Sequence, residues 1–207
     1  MKVLEELKSA VRRLPGPTPN FNFIHAVMML LLLEGSTIGR KRLAEMMEIG
    51  EGSVRSLIRR LREAGYLEVG REGCYLTKKG RKEIKELRKF MRGPVELELP
   101  NLVGGRASAI LVRGLGRGKR ELNVVELRDE AVRAGGRGAI ILLSKGKRLF
   151  FPETMEPLGK YRSDDESLLR STLHPSDGDL VVIGLGDSPK ESAIAALAVG
   201  LTVLGGS

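Results

Sequence analysis

Hydroxyl and guanidinium side chains cluster on one face of a predicted helix that begins just after Gly50. Within it, Val54, Leu57, Ile58 and Leu61 recur at the i, i+3, i+4, i+7 spacing that turns one helix face towards a core. Hydroxyls and guanidiniums donate hydrogen bonds to base edges and phosphates in a DNA major groove. We therefore expect a recognition helix whose first turns read bases and whose later turns hold the backbone. The side chains left on its outward face are Ser53, Arg55, Ser56, Arg59, Arg60 and Arg62.

The segments on either side of this helix predict a helix-turn-helix followed by a β-hairpin. A short helix over residues 40–47 precedes the recognition helix, and Gly50 after the tight turn serves as its N-cap. Downstream, residues 66–77 form two strands around a glycine-rich turn. This hairpin is the wing, and Arg71 at its tip is placed to enter a minor groove or to contact phosphate.

A further basic helix follows the wing. Thr77 caps it, and the pattern predicts that it runs to about Met91. Lys78 and Lys79 adjoin the wing, so we expect them to contact phosphate. From Lys85 onward the basic run is interpreted as a solvated helix face.

The positive charge of the chain is confined to its first half. Residues 1–93 hold 20 Lys and Arg against 11 Asp and Glu, whereas residues 94–207 hold 15 of each. A net charge of +9 in one half is typical of a polyanion-binding domain joined to a domain with another role.

Five stretches of the sequence resemble an archaeal family of winged-helix transcriptional regulators whose C-terminal domain has no assigned role. The resemblance implies binding to double-stranded DNA and regulation of transcription, and we count Arg40, Lys41 and Arg42 among the DNA-binding residues. It supplies no operator and no ligand. The stretches are Gly39-Arg40-Lys41-Arg42-Leu43-Ala44, Gly50-Glu51-Gly52-Ser53-Val54-Arg55, Leu61-Arg62-Glu63-Ala64-Gly65-Tyr66-Leu67, Leu76-Thr77-Lys78-Lys79-Gly80 and Leu127-Arg128-Asp129-Glu130-Ala131.

Gly93-Pro94 marks the predicted boundary between a winged helix-turn-helix domain, 1–93, and a regulatory or dimerisation domain, 94–207. Proline ends the preceding helix there, and the charge balance changes at the same place. The expected fold class is α+β, with a C-terminal ferredoxin-like domain of the βαββαβ type followed by a helix. The predicted strands are 95–99, 107–113, 139–143, 148–151 and 179–185, and the predicted helices are 124–134, 164–173 and 188–203.

Three glycine clusters resemble phosphate-binding loops, and each has a simpler interpretation. The cluster at 114–120 departs from the P-loop pattern, because Arg113 and Arg120 occupy positions that require glycine and Ser or Thr. It is interpreted as a basic connecting loop. The cluster at 184–188 precedes a capping box, Ser188 to Glu191, and the one at 135–138 is interpreted as a helix C-cap.

The pattern shows no catalytic set and predicts no cofactor. Cys74 is the only cysteine and His25 is interpreted as a satisfied core side chain, so neither a disulfide nor a metal site is expected. The acids Asp164, Asp165, Asp177 and Asp179 are assigned to caps and turns. Apolar runs are too short to cross a membrane and no signal peptide is evident, which favours a cytoplasmic location.

The residues therefore favour a dimeric, sequence-specific transcriptional regulator that binds double-stranded DNA and takes a possible small-molecule effector. The homodimer is expected because winged and helix-turn-helix modules pair to reach two half-sites. The alternative is a nucleotide-using enzyme with a fused winged domain, which nucleotide binding by residues 94–207 would reveal. A third hypothesis is that the winged domain binds protein or RNA instead of DNA. A binding competition between duplex DNA and structured RNA would distinguish it from the first.

Overall fold

The computed structural model describes residues 2–11, 20–114 and 123–205 and shows a mixed α+β protein. It divides into two compact units, Met1–Arg88 and Lys89–Ser207. The proline-rich stretch at 15–19 and most of the glycine cluster at 114–120 lie outside the described residues. None of the helices in the described ranges has the length and apolar character needed to cross a bilayer.

Unit 1 consists of helices and one short hairpin, in the order expected from the sequence. Apolar side chains from every element meet in its core, including Leu7, Met29, Leu43, Leu61 and Leu87, each no more than 1 % exposed. The elements are α1 (Lys2–Val11), α2 (Phe23–Leu32), α3 (Arg40–Met47), α4 (Glu51–Glu63), β1 (Leu67–Val69), β2 (Cys74–Leu76) and α5 (Lys78–Phe90).

The start of α2 differs from the prediction made for its histidine. The side chain of Asn22 caps the helix by accepting from the backbone N–H of Ile24 at 3.0 Å and of His25 at 3.3 Å. His25 accepts in return from the backbone N–H of Asn22 at its Nδ1, 3.3 Å away. The prediction of a core histidine is wrong because the imidazole completes a capping box and stays partly exposed.

The connection from α3 to α4 is a tight turn, and backbone groups rather than side chains cap the end of α3 and the start of α4. Glu48 adopts a left-handed conformation, φ 45°, and its N–H donates to the carbonyls of Ala44 and Glu45. Gly50 is the N-cap of α4, as expected, and contributes no side-chain hydrogen bond. The buried residues of α4 are Val54, Leu57, Ile58 and Leu61, which confirms the periodicity read from the sequence.

The hairpin is held in place by a short third segment. β1 and β2 pair antiparallel, and Ile38 exchanges backbone hydrogen bonds with Cys74 at 3.0 and 2.9 Å. Gly73 has φ +138°, and a Cβ there would lie 2.5 Å from the carbonyl carbon of Ile38. Only glycine fits this close approach. After β2, Thr77 caps α5 by accepting from the N–H of Gly80 at 3.0 Å, as predicted.

Unit 2 is an antiparallel sheet covered on both faces by helices. The strand order is β3-β4-β7-β5-β6, and every neighbouring pair is antiparallel. A short 3-10 helix at Leu158–Lys160 was not predicted. The elements are β3 (Met91–Leu97), β4 (Arg106–Val112), α6 (Val124–Arg133), β5 (Gly138–Lys145), β6 (Arg148–Phe150), α7 (Ser163–Leu173), β7 (Leu180–Gly186) and α8 (Pro189–Val203).

This strand order differs from the predicted ferredoxin-like layer, in which the first and third strands of the βαββαβ unit lie side by side. Here β7 lies between β4 and β5, so β4 and β6 do not meet. The reason is visible in β7, whose residues 180–184 are all buried and apolar or glycine, as suits a central strand. β6 has three residues and pairs only with β5, across a turn in which Gly146 and Lys147 both have positive φ.

Successive side chains of β4 point to opposite faces of the sheet, and each face packs against a different helix. Ala107, Ala109 and Leu111 belong to the core formed with Leu169 and Leu173 of α7. On the other face, Ser108 lies 2.8 Å from the hydroxyl of Ser192 in α8. The small residues of α8 allow this close packing, and residues 192–201 are all buried.

The predicted proline boundary falls inside a strand. β3 begins at Met91, directly after α5, so Pro94 does not end the helix. The register between β3 and β4 shifts between Arg92 and Val95, where the peptide preceding Pro94 is cis. An edge strand tolerates proline at such an irregularity, since a missing N–H there breaks no regular ladder.

The other two glycine clusters behave as structural elements. Gly135 has φ +101° after the end of α6, and the N–H of Gly136 donates to the carbonyl of Ala131, which is the predicted C-cap. Ser188 caps α8 by accepting from the N–H of Glu191. The Glu191 carboxylate accepts from the backbone N–H of Asp187 at 2.8 Å.

Gly184→Ala should destabilise the chain, because the added Cβ would lie 2.2 Å from the carbonyl oxygen of Ser192 and 2.3 Å from the backbone nitrogen of Ala196. We expect the free energy of unfolding in urea to fall by about 3 kcal/mol. Gly104→Ala is the control, since nothing lies within 4 Å of its Cβ position. Equal stabilities for the two variants would contradict the packing of α8 on β7.

Candidate nucleic-acid interface

A groove of about 510 Å³ runs between α4 and the hairpin of unit 1. Its apolar lining comes from Ile58 of α4 and from Val69 and Cys74 of the hairpin. Burial raises the pKa of the Cys74 thiol, and the charge of Arg40 opposes this by a smaller amount. The charged residues along the groove are Arg40, Arg55, Arg59, Arg62, Glu63 and Glu68.

Helical spacing explains why these α4 residues share the groove. Arg55, Ile58, Arg59 and Arg62 recur at i, i+3, i+4 and i+7, which places them along one side of the helix. Arg55, Arg59 and Arg62 are exposed, whereas Ile58 is buried beneath them. The side of α4 that faces the hairpin therefore carries three guanidiniums above an apolar surface.

Three of the cations around this surface are paired with carboxylates. Arg40 and Glu51 lie 3.5 Å apart, and they join the start of α3 to the start of α4. Arg62 reaches Glu68 of β1 at 3.2 Å. The third pair is Arg42 with Glu45, at 3.2 Å within α3. All six side chains are substantially exposed, so these pairs add little stability and a phosphate can replace the carboxylates.

A second set of cations is unpaired. Within residues 2–11, 20–114 and 123–205, the side chains of this set form no ion pair or hydrogen bond. All of its members are exposed, and Arg71 lies at the tip of the hairpin as predicted. Such side chains are available to an anionic partner without breaking a contact in the fold. The set comprises Lys41, Arg55, Arg59, Arg71 and Lys78.

Arg60 does not belong to the exposed face, and its predicted outward position is wrong. Its Nη1 donates to the backbone carbonyl of Val11 at 2.9 Å. Its guanidinium carbon lies 5.1 Å from the ring centroid of Phe21. Arg60 therefore joins α4 to α1 and to Phe21 in the segment before α2, because its long side chain turns back over the apolar surface beside it.

Ser53 lies on the same side of α4 as Arg60, since seven residues make almost two full turns. It is half-buried and is not among the residues of the groove. Ser56 is also half-buried. The predicted hydroxyl donors are therefore less accessible than the guanidiniums of Arg55 and Arg59.

Lys79 has a structural contact that the sequence did not reveal. Its ammonium donates to the carbonyl of Ala64 at 2.9 Å, at the C-terminal end of α4, and lies 4.3 Å from the ring centroid of Tyr66. Burial raises the pKa of Tyr66 to about 12, with smaller contributions from Glu6 and Glu83, so the ring stays neutral. The predicted phosphate contact of Lys79 competes with this position, whereas Lys78 remains available.

Sequence reasoning missed the acidic members of this surface. Glu63 and Glu68 line the groove, and Glu51 is paired with Arg40 at one end of α4. The i to i+4 spacing of Glu51 and Arg55 was the available signal that an acid shares the basic side of α4. Among the described residues, no three His, Cys, Asp or Glu side chains come together as metal ligands.

Comparison with known proteins gives matches to both halves of the chain. Residues 24–82 match the family described as PH0730-like, N-terminal domain, and residues 103–203 match a domain of unknown function, DUF4443. The solved structure of "Hypothetical protein PH0730 from Pyrococcus horikoshii OT3" is similar, with a TM-score of 0.76 and 28% sequence identity over 89% of this chain and 93% of that chain. No curated protein matches the chain.

These matches fit an archaeal uncharacterised family. Every residue that lines the groove, from Arg40 to Cys74, falls within the first matched region. The groove is therefore part of the region that the chain shares with the PH0730-like N-terminal domain.

Arg60→Ala should destabilise the chain, whereas Arg59→Ala should not. Loss of the charged hydrogen bond to Val11 and of the contact with Phe21 is expected to lower the free energy of unfolding by about 1.5 to 3 kcal/mol. Arg59 is exposed and unpaired, so its substitution should change that free energy by less than about 0.5 kcal/mol. Urea unfolding followed by circular dichroism measures both, and similar losses would show that Arg60 has no anchoring role.

Proposed function

We propose that the protein is a sequence-specific DNA-binding transcriptional regulator whose unit 1 is a winged helix-turn-helix. The proposal rests mainly on one observation, which is the row of guanidiniums on the side of α4 that faces the hairpin. A helix of this kind fits a major groove, and guanidiniums donate both to guanine edges and to phosphates.

The arrangement around α4 supports this assignment. α3, a three-residue turn and α4 form two successive helices, and β1 and β2 follow with Ile38 paired on their edge. This is the order of a helix-turn-helix with one wing. Arg71 at the tip of the hairpin is available for phosphate or for an adjacent minor groove.

Charge supports a polyanionic partner. The excess of +9 resides in residues 1–93, and the unpaired cations Lys41, Arg55, Arg59, Arg71 and Lys78 all belong to unit 1. In our proposal Arg55 reads a base, while Arg59, Lys41, Arg71 and Lys78 hold the backbone. Arg42 joins them when a phosphate replaces its partner Glu45, and Arg40 keeps its ion pair with Glu51.

Unit 2 is assigned the second role of such a regulator, namely dimerisation or the sensing of a small-molecule effector. Helix-turn-helix proteins reach two half-sites as dimers, and a strongly basic domain joined to one of much lower net charge suits that division of labour. The proposal places this regulator in the cytoplasm, where its DNA would be.

The full chain should bind duplex DNA with steep salt dependence, because each neutralised phosphate releases counterions. Contacts from the four cations that hold the backbone predict a slope of about −3 to −4 in log affinity against log salt. The variant Arg59→Ala/Arg71→Ala should lower this slope by about 2, and the exposed pair Lys82→Ala/Lys85→Ala is a control with the same net charge. Equal slopes for both double variants, or no binding at low salt, would refute the proposal.

Single substitutions should separate base reading from backbone binding. Arg55→Ala is expected to change which sequence is preferred, at a cost of about 1 to 3 kcal/mol for the best site. Arg59→Ala should weaken binding to all duplexes by a similar factor. Affinities measured on a panel of duplexes test this, and uniform effects from both variants would remove the base-reading role from Arg55.

A further inference from the structure

One glycine of unit 1 lies on an open helix surface and is not required by packing. Gly52 is the second residue of α4, its φ is not positive, and no atom lies within 4 Å of the position its Cβ would occupy. By contrast, a Cβ at Gly80 would lie 2.0 Å from the carbonyl oxygen of Tyr66, and one at Gly200 would lie 2.2 Å from Ile110. Alanine would make α4 more stable than glycine does. The chain therefore leaves this part of the helix surface bare at the expense of stability.

Next to this bare surface, an acid lies one turn before the arginines of the groove. Glu51 is the first residue of α4, half-exposed, and its carboxylate lies 3.5 Å from the guanidinium of Arg40. Arg55 follows one turn later on the same side. Beside phosphates a carboxylate is repelled, whereas at a base edge it can accept a hydrogen bond from the N4 amino group of cytosine.

A purely structural explanation of Glu51 exists and makes a different prediction. A carboxylate in the first turn interacts favourably with the positive end of a helix. If that were its only role, removing the charge would destabilise α4 slightly and strengthen binding to every duplex alike. It would leave the preferred sequence unchanged and would give no reason for the bare surface at Gly52.

We propose that the first turn of α4 reads a cytosine in the major groove. Glu51 accepts from the N4 amino group, and the missing side chain at Gly52 lets the helix come close enough for that contact. Arg40 is a positioning residue that holds the carboxylate by its ion pair. This inference rests on the proposed function and adds to it the residue and the base of one specific contact.

Selection of bound duplexes from a random pool by the full chain tests the contact. The wild type should select a motif with one strongly preferred C·G pair, and Glu51→Gln should lose that preference by about fivefold or more while keeping the other positions. Arg40→Gln should weaken the preference at the same position only. Glu45→Gln is the matched control, because Glu45 is also half-exposed and paired with an arginine, on α3.

The outcomes separate this inference from the proposed function. A wild type that selects no motif removes both. A wild-type motif that Glu51→Gln leaves unchanged, or a Glu51→Gln variant that binds all duplexes more tightly with the same preference, overturns the inference alone.

Gly52→Ala provides an independent test, because it should leave thermal stability unchanged or raise it while lowering the affinity for DNA. Its melting temperature should equal or exceed that of the wild type, because alanine favours the helix and meets no neighbour. Its affinity for the selected duplex should fall by about fivefold or more. Gly104→Ala, another open glycine position, should leave that affinity unchanged. Undiminished binding by Gly52→Ala would show that the duplex does not approach α4 there.

Discussion

The hydrogen bond from Arg60 to the carbonyl oxygen of Val11 acts with the buried apolar stripe of α4 to fix which side of the helix stays exposed. A helix with apolar residues on one face and arginines over the rest could rotate slightly without losing its core. The contacts of Arg60 with Val11 and with the ring of Phe21 remove this freedom, because they hold one flank of the helix against α1. The opposite flank, with Arg55, Arg59 and Arg62, is then left facing the hairpin. Arg60, which is held within the fold, thus helps to orient the arginines that stay exposed.

Within that flank, ion pairs hold some guanidiniums in place without using up the positive charge. Arg40 and Arg62 are held by Glu51 and Glu68, and each pair links two elements, α3 to α4 and α4 to β1. Because these pairs are exposed, their free energy is small and is screened by salt. They can position side chains and yet exchange partners at small cost. Arg55 and Arg59 need no such exchange, and this difference makes them the stronger candidates for contact.

The sequence predicted the helices of unit 1 closely, because each buries a regular apolar stripe. Val54, Leu57, Ile58 and Leu61 define α4 without further information. Periodicity could not predict which contacts the long polar side chains at the margin of the buried face would form. Arg60 and Lys79 both reach back to backbone carbonyls, since flexible stems can cover apolar surface while the charged end finds a partner. The missed roles of Glu51 and Glu68 have the same origin, because their partners lie on other elements.

In unit 2 the strands were predictable and their order was not. Alternation and apolar runs identify β4, β5 and β7, but hydrogen bonds between strands depend on which edges meet after the helices have packed. β7 lies between β4 and β5, and its Gly184 and Gly186 let α8 lie directly on it, where a Cβ would meet helix backbone within 2.5 Å. These glycines are thus fixed by the fold. Packing therefore explains Gly184 and Gly186 and leaves Gly52 unexplained. An open glycine in a helix lowers stability without a compensating contact in the fold, and our proposal for the first turn of α4 accounts for that cost.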